Sequence, residues 1–127
     1  MIVVDASAAL SALLNAGAAR STLASERLHV PHLIDSEIAN GLRRRVAARQ
    51  VTAVSGWAML ATWRQLGITR YATFSFLDRI WQLRENLSAY GATYVALAEA
   101  LGCELVTADA RLSRAPGLRC PVTVVPR

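Results

Sequence analysis

Lysine is absent from the 127-residue sequence, so all 14 basic residues are arginine and lysine-based covalent chemistry is excluded. Cysteine is almost as scarce. Cys103 and Cys120 stand far apart with no Cys-x-x-Cys or Cys/His grouping, which argues against a zinc site and a disulfide framework and leaves two buried thiols as the expectation. Charged residues make up only 18% against 54% hydrophobic, too apolar a balance for disorder. Long uninterrupted apolar runs are missing too, because Asp or Arg breaks most windows, so no membrane span is expected. The opening Met1-Ile-Val-Val-Asp5 has no basic stretch before its short apolar run, which argues against a signal peptide and points to the cytoplasm. The length suits one domain over residues 1–127.

What is plentiful is arginine. Against 9 acids it leaves a formal charge of +5, which suits a polyanionic partner, since the planar guanidinium grips phosphates and stacks on bases. An Arg- and Ala-rich genome gives the same bias, so charge alone does not decide the matter.

Ile2-Val3-Val4 is apolar and β-branched throughout, as in a strand covered on both faces, and Asp5 ends it. A helix is predicted over Ala6 to Asn15 with Gly17 as its stop, then a short strand at Leu28-His29-Val30 closed by Pro31. From Asp35 to about Arg49 a helix places Ile34, Ile38, Leu42 and Val46 on one stripe, with Asp35 or Ser36 as its cap and Arg43-Arg44-Arg45 on its outer face. Further helices are read at Ser55 to Leu66, Phe74 to Asn86, and from a Ser88 cap through the stripe Tyr90, Tyr94, Leu97, Ala98 and Leu101 to Gly102. Strands are expected within Gly67 to Tyr71, at Glu104 to Thr107 and at Val122 to Val125. Alternating strands and helices imply right-handed βαβ units. The expected fold is α/β, a three-layer α/β/α sandwich around a central, mainly parallel sheet of four to five strands.

Two predicted strands end in an acid beside a small residue, at Val4-Asp5-Ala6 and Thr107-Ala108-Asp109. In open α/β sheets the carboxyl ends of strands border the ligand crevice, so both carboxylates fall there. Glu37 joins them from the apolar edge of its helix. Taken singly, Asp5 suits a helix cap, Asp109 a turn and Glu37 a capping box. Together at one end of the layers, three acids repel unless a hard divalent cation such as Mg2+ or Mn2+ turns repulsion into coordination.

These segments resemble the PIN-domain ribonucleases, and specifically the VapC toxins of bacterial toxin–antitoxin pairs. The resemblance rests on Met1-Ile-Val-Val-Asp5-Ala-Ser7, Asp35-Ser-Glu37-Ile-Ala, Ser88-Ala-Tyr-Gly91-Ala-Thr-Tyr-Val-Ala-Leu-Ala-Glu-Ala-Leu101 and Leu105-Val-Thr107-Ala-Asp109-Ala-Arg-Leu112. It implies an acidic cluster on Asp5, Glu37, position 91 and Asp109, with Ser7 and Thr107 as polar neighbours of an Mg2+ or Mn2+ ion. It further implies hydrolysis of RNA phosphodiester bonds, with Asp5 and Asp109 holding the metal and Glu37 either binding it or positioning the water. Position 91 departs from the pattern, because the family has Asp there and this chain has Gly. A lost carboxylate weakens such a site about ten- to a hundredfold, so an impaired copy is expected. Glu99 lies near the same helix face, but an offset of about 12 Å argues against its substituting.

Arg43, Arg44 and Arg45 begin about two turns after Glu37 and are candidates for gripping RNA phosphates, although successive residues point about 100° apart and at least one must face solvent. Trp81 shares a stripe with Leu77, Ile80 and Arg84 and reads as core or as an oligomer contact; base stacking by Trp57, Trp63 or Trp81 is the weaker reading. The resemblance also implies a homodimer and a cognate VapB-like antitoxin, whose C-terminal segment would lie along helices 6–15 and 36–48. Two other classes compete. A phosphoacceptor receiver domain needs the lysine this chain lacks, and a catalytically silent PIN-fold module that binds RNA or a partner is the alternative Gly91 keeps open.

Overall fold

The computed structural model of the chain describes residues 1–127. Its elements are β1 (Ile2–Val4), α1 (Ala6–Leu14), α2 (Ala18–Ala24), β2 (Leu28–Pro31), α3 (Leu33–Ala47), α4 (Ala53–Gln65), β3 (Thr69–Tyr71), a 3-10 turn (Phe74–Phe76), α5 (Leu77–Gln82), α6 (Ala89–Leu101), β4 (Glu104–Thr107), α7 (Ala110–Ser113) and β5 (Val122–Val124). The five strands form one sheet in the order β3-β2-β1-β4-β5, and every pairing is parallel. This is the α/β/α sandwich expected from the alternation of elements.

β1 is central and buried along its whole length, which explains its unbroken β-branched sequence. The chain moves outward from β1 through β2 to β3, then returns to the other side of β1 as β4 and β5. Right-handed crossovers therefore put α1 to α4 on one face and α5 and α6 on the other. The packing agrees: α1 lies against α2 and α3, α3 against α4, and α5 against α6, which crosses β1, β2 and β4. β1 is thus the point at which strand order reverses, and the crevice beyond the carboxyl ends of β1 and β4 is where such folds bind ligands.

Several boundaries differ from the sequence reading for local reasons. Gly17 does not end helical structure; it precedes α2, whose Ala19 and Leu23 are buried. α3 begins at Leu33 after His32, with no side-chain cap, so neither Asp35 nor Ser36 caps it. Asp35 instead accepts from Trp63 Nε1 at 2.8 Å and from Arg70 Nε and Nη2 at 2.7 and 2.9 Å, tying α3 to α4 and β3. Thr52 rather than Ser55 caps α4. Ser88 caps α6 by accepting from Gly91 N, and Gly102 closes that helix at φ 64°, a left-handed conformation that favours glycine. Trp81 is 67% exposed with the Arg84 guanidinium 4.7 Å over its ring, so it is not core. Cys103 and Cys120 are free thiols, each partly buried. No helix is long and apolar enough to cross a membrane.

Candidate active site at the end of the central strands

Asp5 leaves β1 as the N-cap of α1, where Oδ1 accepts from Ala8 N at 3.0 Å. The local capping role and a role in a shared site are therefore not alternatives, because the same carboxylate is held from further sides. Ser7 Oγ donates to Oδ1 at 2.6 Å, and Thr107 Oγ1, at the end of β4, donates to Oδ2 at 2.5 Å. The two hydroxyls in turn accept from the backbone, Ser7 Oγ from Ala108 N at 2.9 Å and Thr107 Oγ1 from Asp109 N at 3.0 Å. Thr107 is fully buried and Asp5 is 8% exposed. The network locks the ends of β1 and β4 together and fixes the orientation of the Asp5 carboxylate.

Glu37 reaches the same place from the second turn of α3. Its Oε1 accepts from the hydroxyl of Tyr94, a buried residue of α6. Burial pushes the Glu37 carboxyl above its ordinary range, the Tyr94 hydrogen bond acts the other way, and the nearby Asp5 charge pushes it up again. Burial and the bond to Glu37 also drive the Tyr94 phenol strongly upward, so it stays a donor. The sequence reading placed Tyr94 on the α6 stripe and missed this contact; the signal was available, since a buried tyrosine hydroxyl requires a partner.

Asp109 is oriented differently. It caps the short α7 by accepting from Arg111 N, and both of its oxygens lie 3.2 Å from the Arg111 guanidinium. That hydrogen bond, outweighing a small desolvation cost, lowers its pKa. The Arg111 side chain is 82% exposed, so the pair is weak and readily exchanged for a stronger cation. As arranged, no three His, Cys, Asp or Glu side chains converge on a metal position. Asp109 is turned toward Arg111 in this arrangement.

Gly91 lies in the first turn of α6. A Cβ built there meets only Ser88 Oγ at 3.7 Å, Leu112 Cδ1 at 3.9 Å and Leu87 Cδ2 at 4.0 Å, all ordinary contacts. Neither space nor backbone conformation requires glycine. Glu99 is committed elsewhere, held by Arg79 Nε and Nη2 at 2.7 and 3.1 Å and by Arg119 N at 2.7 Å.

A groove of about 330 Å³ opens beside Glu37, and Ser7, Glu37, Arg44 and Arg45 are among its lining residues. Arg43 lies outside it and donates to Asn40 Oδ1. Trp63 is buried and its indole N–H is spent on Asp35, so it is not a stacking platform.

The oxygen-only donor set of Asp5, Glu37 and Asp109 with the Ser7 and Thr107 hydroxyls suits a hard cation. The electrostatics suit it as well. In an arginine-rich chain, neither Asp5 nor Glu37 forms an ion pair with any basic group.

With this geometry in hand, comparison with known proteins identifies the class. A PIN-domain model matches residues 2–118. The VapC ribonuclease Mb0985 of Mycobacterium bovis is 62% identical over 127 residues, covering all of both chains. Ribonuclease VapC1 of Mycobacterium tuberculosis is 39% identical over 97% of this chain and 96% of its own. The crystal structure of PAE2754 from Pyrobaculum aerophilum superposes with a TM-score of 0.72 at 22% identity, covering 95% of this chain and 81% of that one. The structure of Mycobacterium tuberculosis VapC20, described as a sarcin-ricin loop cleaving toxin, gives 0.66 at 19% identity over 90% and 94%. At these identities the two structures speak for the fold. The chain belongs to the PIN-domain family, among its VapC-type ribonucleases.

Proposed function

We propose that this chain is a metal-dependent endoribonuclease toxin that hydrolyses RNA phosphodiester bonds, that a cognate VapB-like antitoxin silences it in the cytoplasm, and that Gly91 leaves this copy impaired. The observation that carries the reading is the pair Asp5 and Glu37: buried and half-buried, free of ion pairs, with Glu37 lining a groove shared with Arg44 and Arg45. Asp5 and Glu37 would hold Mg2+ or Mn2+, joined by Asp109 once it releases Arg111, with Ser7 and Thr107 as supporting hydroxyls. Such a cation supplies positive charge against the carboxylates and the phosphodiester, and acidifies water beside it.

The chain's own residues do the rest. Ser7 and Thr107 hold the Asp5 carboxyl in one orientation, donating to its two oxygens. Tyr94 fixes Glu37, which holds the cation or orients the attacking water. Arg44 and Arg45 grip phosphates flanking the cut; Arg43, outside the groove, contributes charge at longer range.

Partners are read from surfaces. Phe74, Leu77 and Trp81 are 85%, 51% and 67% exposed and follow helical spacing, which supports a homodimer formed through this stripe. For the antitoxin, the apolar groove between α1, α2 and α4, lined by Leu13, Leu23, Met59 and Ile68, is a better seat than the α1 and α3 surfaces expected from sequence.

The test is cleavage of total cellular RNA in Mg2+ or Mn2+, and then in EDTA, by this protein beside Gly91→Asp. Cutting by the Asp form alone, abolished by EDTA, supports the reading and marks this copy as impaired. If neither form cuts any RNA, the assignment fails and the second reading stands: a silent PIN-fold module that binds RNA or a partner, favoured by Gly91 and by the Asp109–Arg111 pairing.

A further inference from the structure

Arg127 was not among the basic residues singled out from the sequence, yet its side chain lines the same groove as Glu37, Arg44 and Arg45. It is brought there by the segment after β5. Val125 N donates to Thr107 O at 2.8 Å, continuing the pairing with β4, and Ser11 Oγ of α1 donates to Pro126 O at 2.7 Å. Arg127 Nε then donates to Ala108 O at 3.2 Å, beside the Thr107 hydroxyl that holds Asp5. This is the only hydrogen bond Arg127 makes within the chain, so the two terminal nitrogens of its guanidinium keep their donors for another acceptor. Two partly buried arginines, by contrast, are spent: Arg70 on Asp35 and Arg79 on Glu99.

Arg44 and Arg45 reach the groove from α3, whereas Arg127 reaches it from the segment after β5, anchored beside the end of β4. The lining therefore offers guanidinium groups from two segments, with Glu37 the one carboxylate among the lining residues. An extended chain of phosphates is matched by several such groups, separated along a groove.

We propose that Arg127 is a substrate-positioning residue which grips a backbone phosphate of single-stranded RNA in the groove it shares with Arg44 and Arg45. The inference rests on the ribonuclease reading above and adds to it the β4-side half of the phosphate path. The Nε bond to Ala108 O anchors the guanidinium at the groove and leaves Nη1 and Nη2 free to donate to a phosphate.

The experiment measures binding of a short, unstructured, fluorescently labelled RNA by anisotropy in Mg2+ at several salt concentrations, with gels confirming that the probe stays intact. The proteins are the parent, Arg127→Ala, Arg127→Lys and Arg64→Ala, the last removing an exposed arginine of α4 outside the groove. Arg127→Ala is expected to bind about tenfold more weakly, with the slope of log affinity against log salt shallower by about 0.7, the loss of one phosphate contact to a single strand. Arg127→Lys should restore the slope and part of the affinity, because it keeps the charge and loses the Nε bond. Arg64→Ala should change affinity less than about twofold. Matching thermal unfolding of the parent and Arg127→Ala separates a lost contact from a disturbed β5, and the salt slope would not move for a merely structural residue. If the parent binds and Arg127→Ala matches it in affinity and slope, Arg127 is not on the phosphate path, while the ribonuclease reading survives. If the parent itself does not bind the RNA, both fall together.

Discussion

The hydroxyl of Tyr94 on α6 donates to Oε1 of Glu37 on α3, so a single hydrogen bond spans the two helical layers above the carboxyl end of the sheet. Glu37 needs it, because burial and the Asp5 charge both disfavour its ionised form. Tyr94→Phe keeps the ring and deletes the donor. It should lower stability in urea unfolding by about 1–3 kcal/mol, the cost of leaving a buried acceptor unmade. A Phe variant as stable as the parent would show that Glu37 is satisfied by water instead.

Ser7 and Thr107 act on one carboxylate and should not behave independently. Ser7→Ala and Thr107→Val each remove a donor to Asp5 and an acceptor for a backbone N–H, at about 1–3 kcal/mol apiece. Because the two hydroxyls also lie 3.2 Å apart, the double variant should depart from the sum by at least about 0.5 kcal/mol. Denaturant curves for the four proteins measure that coupling, and simple additivity would contradict a shared network.

Acid should weaken the junction of α3, α4 and β3. The Arg70 guanidinium, opposed by partial burial and aided by Trp63, holds Asp35 below its ordinary value of 3.8. A depressed carboxylate adds stability that is present above the unfolded value and disappears as pH falls through the folded one. With the Asp35 side chain 42% exposed, the ion pair contributes under about 1 kcal/mol. Urea midpoints of the parent and Arg70→Gln, measured from neutral pH downward, should therefore differ at neutral pH and converge below 3.8. A gap that persists in acid would assign the effect to lost packing.

With Mn2+ present to offset the added carboxylate, Gly91→Asp should fold at least as well as the parent. The added side chain meets ordinary contacts only, and an acid in the first turn of α6 favours the helix dipole while replacing a poor helix former, a gain of up to about 1 kcal/mol. Mn2+ titration by calorimetry should show binding tightened about ten- to a hundredfold. Equal Mn2+ affinity in the two proteins would mean that position 91 does not face the cation.

The sheet was legible because its central strand is buried on both faces and spells this out in Ile2-Val3-Val4, and because Gly102 and Ser88 mark helix ends by chemistry that tertiary packing does not override. Asp5 and Asp109 were legible as strand-end acids for the same reason. α2 was not, since Ala18–Ala24 gains its helical state by packing against α1 rather than from any pattern of its own. Asp35 misled because an acid near a helix start looks like a cap, and only the fold brings Arg70 and Trp63 to it. Tyr94 and Arg127 escaped for a related reason, since each acts through a contact with a distant segment, whereas Arg111 pairs with Asp109 only two residues away.

The strand order also sets how long each part of the groove persists. Asp5 follows β1, paired on both edges, whereas Arg127 hangs from β5, a three-residue edge strand paired on one side only. Amides around Asp5 should exchange with solvent only when the whole molecule opens, and those of Val125 and Arg127 through local fraying. The carboxylate side of the groove is thus permanent on the timescale of folding, and its arginine flap at the β5 edge is renewed many times within one lifetime of the folded chain.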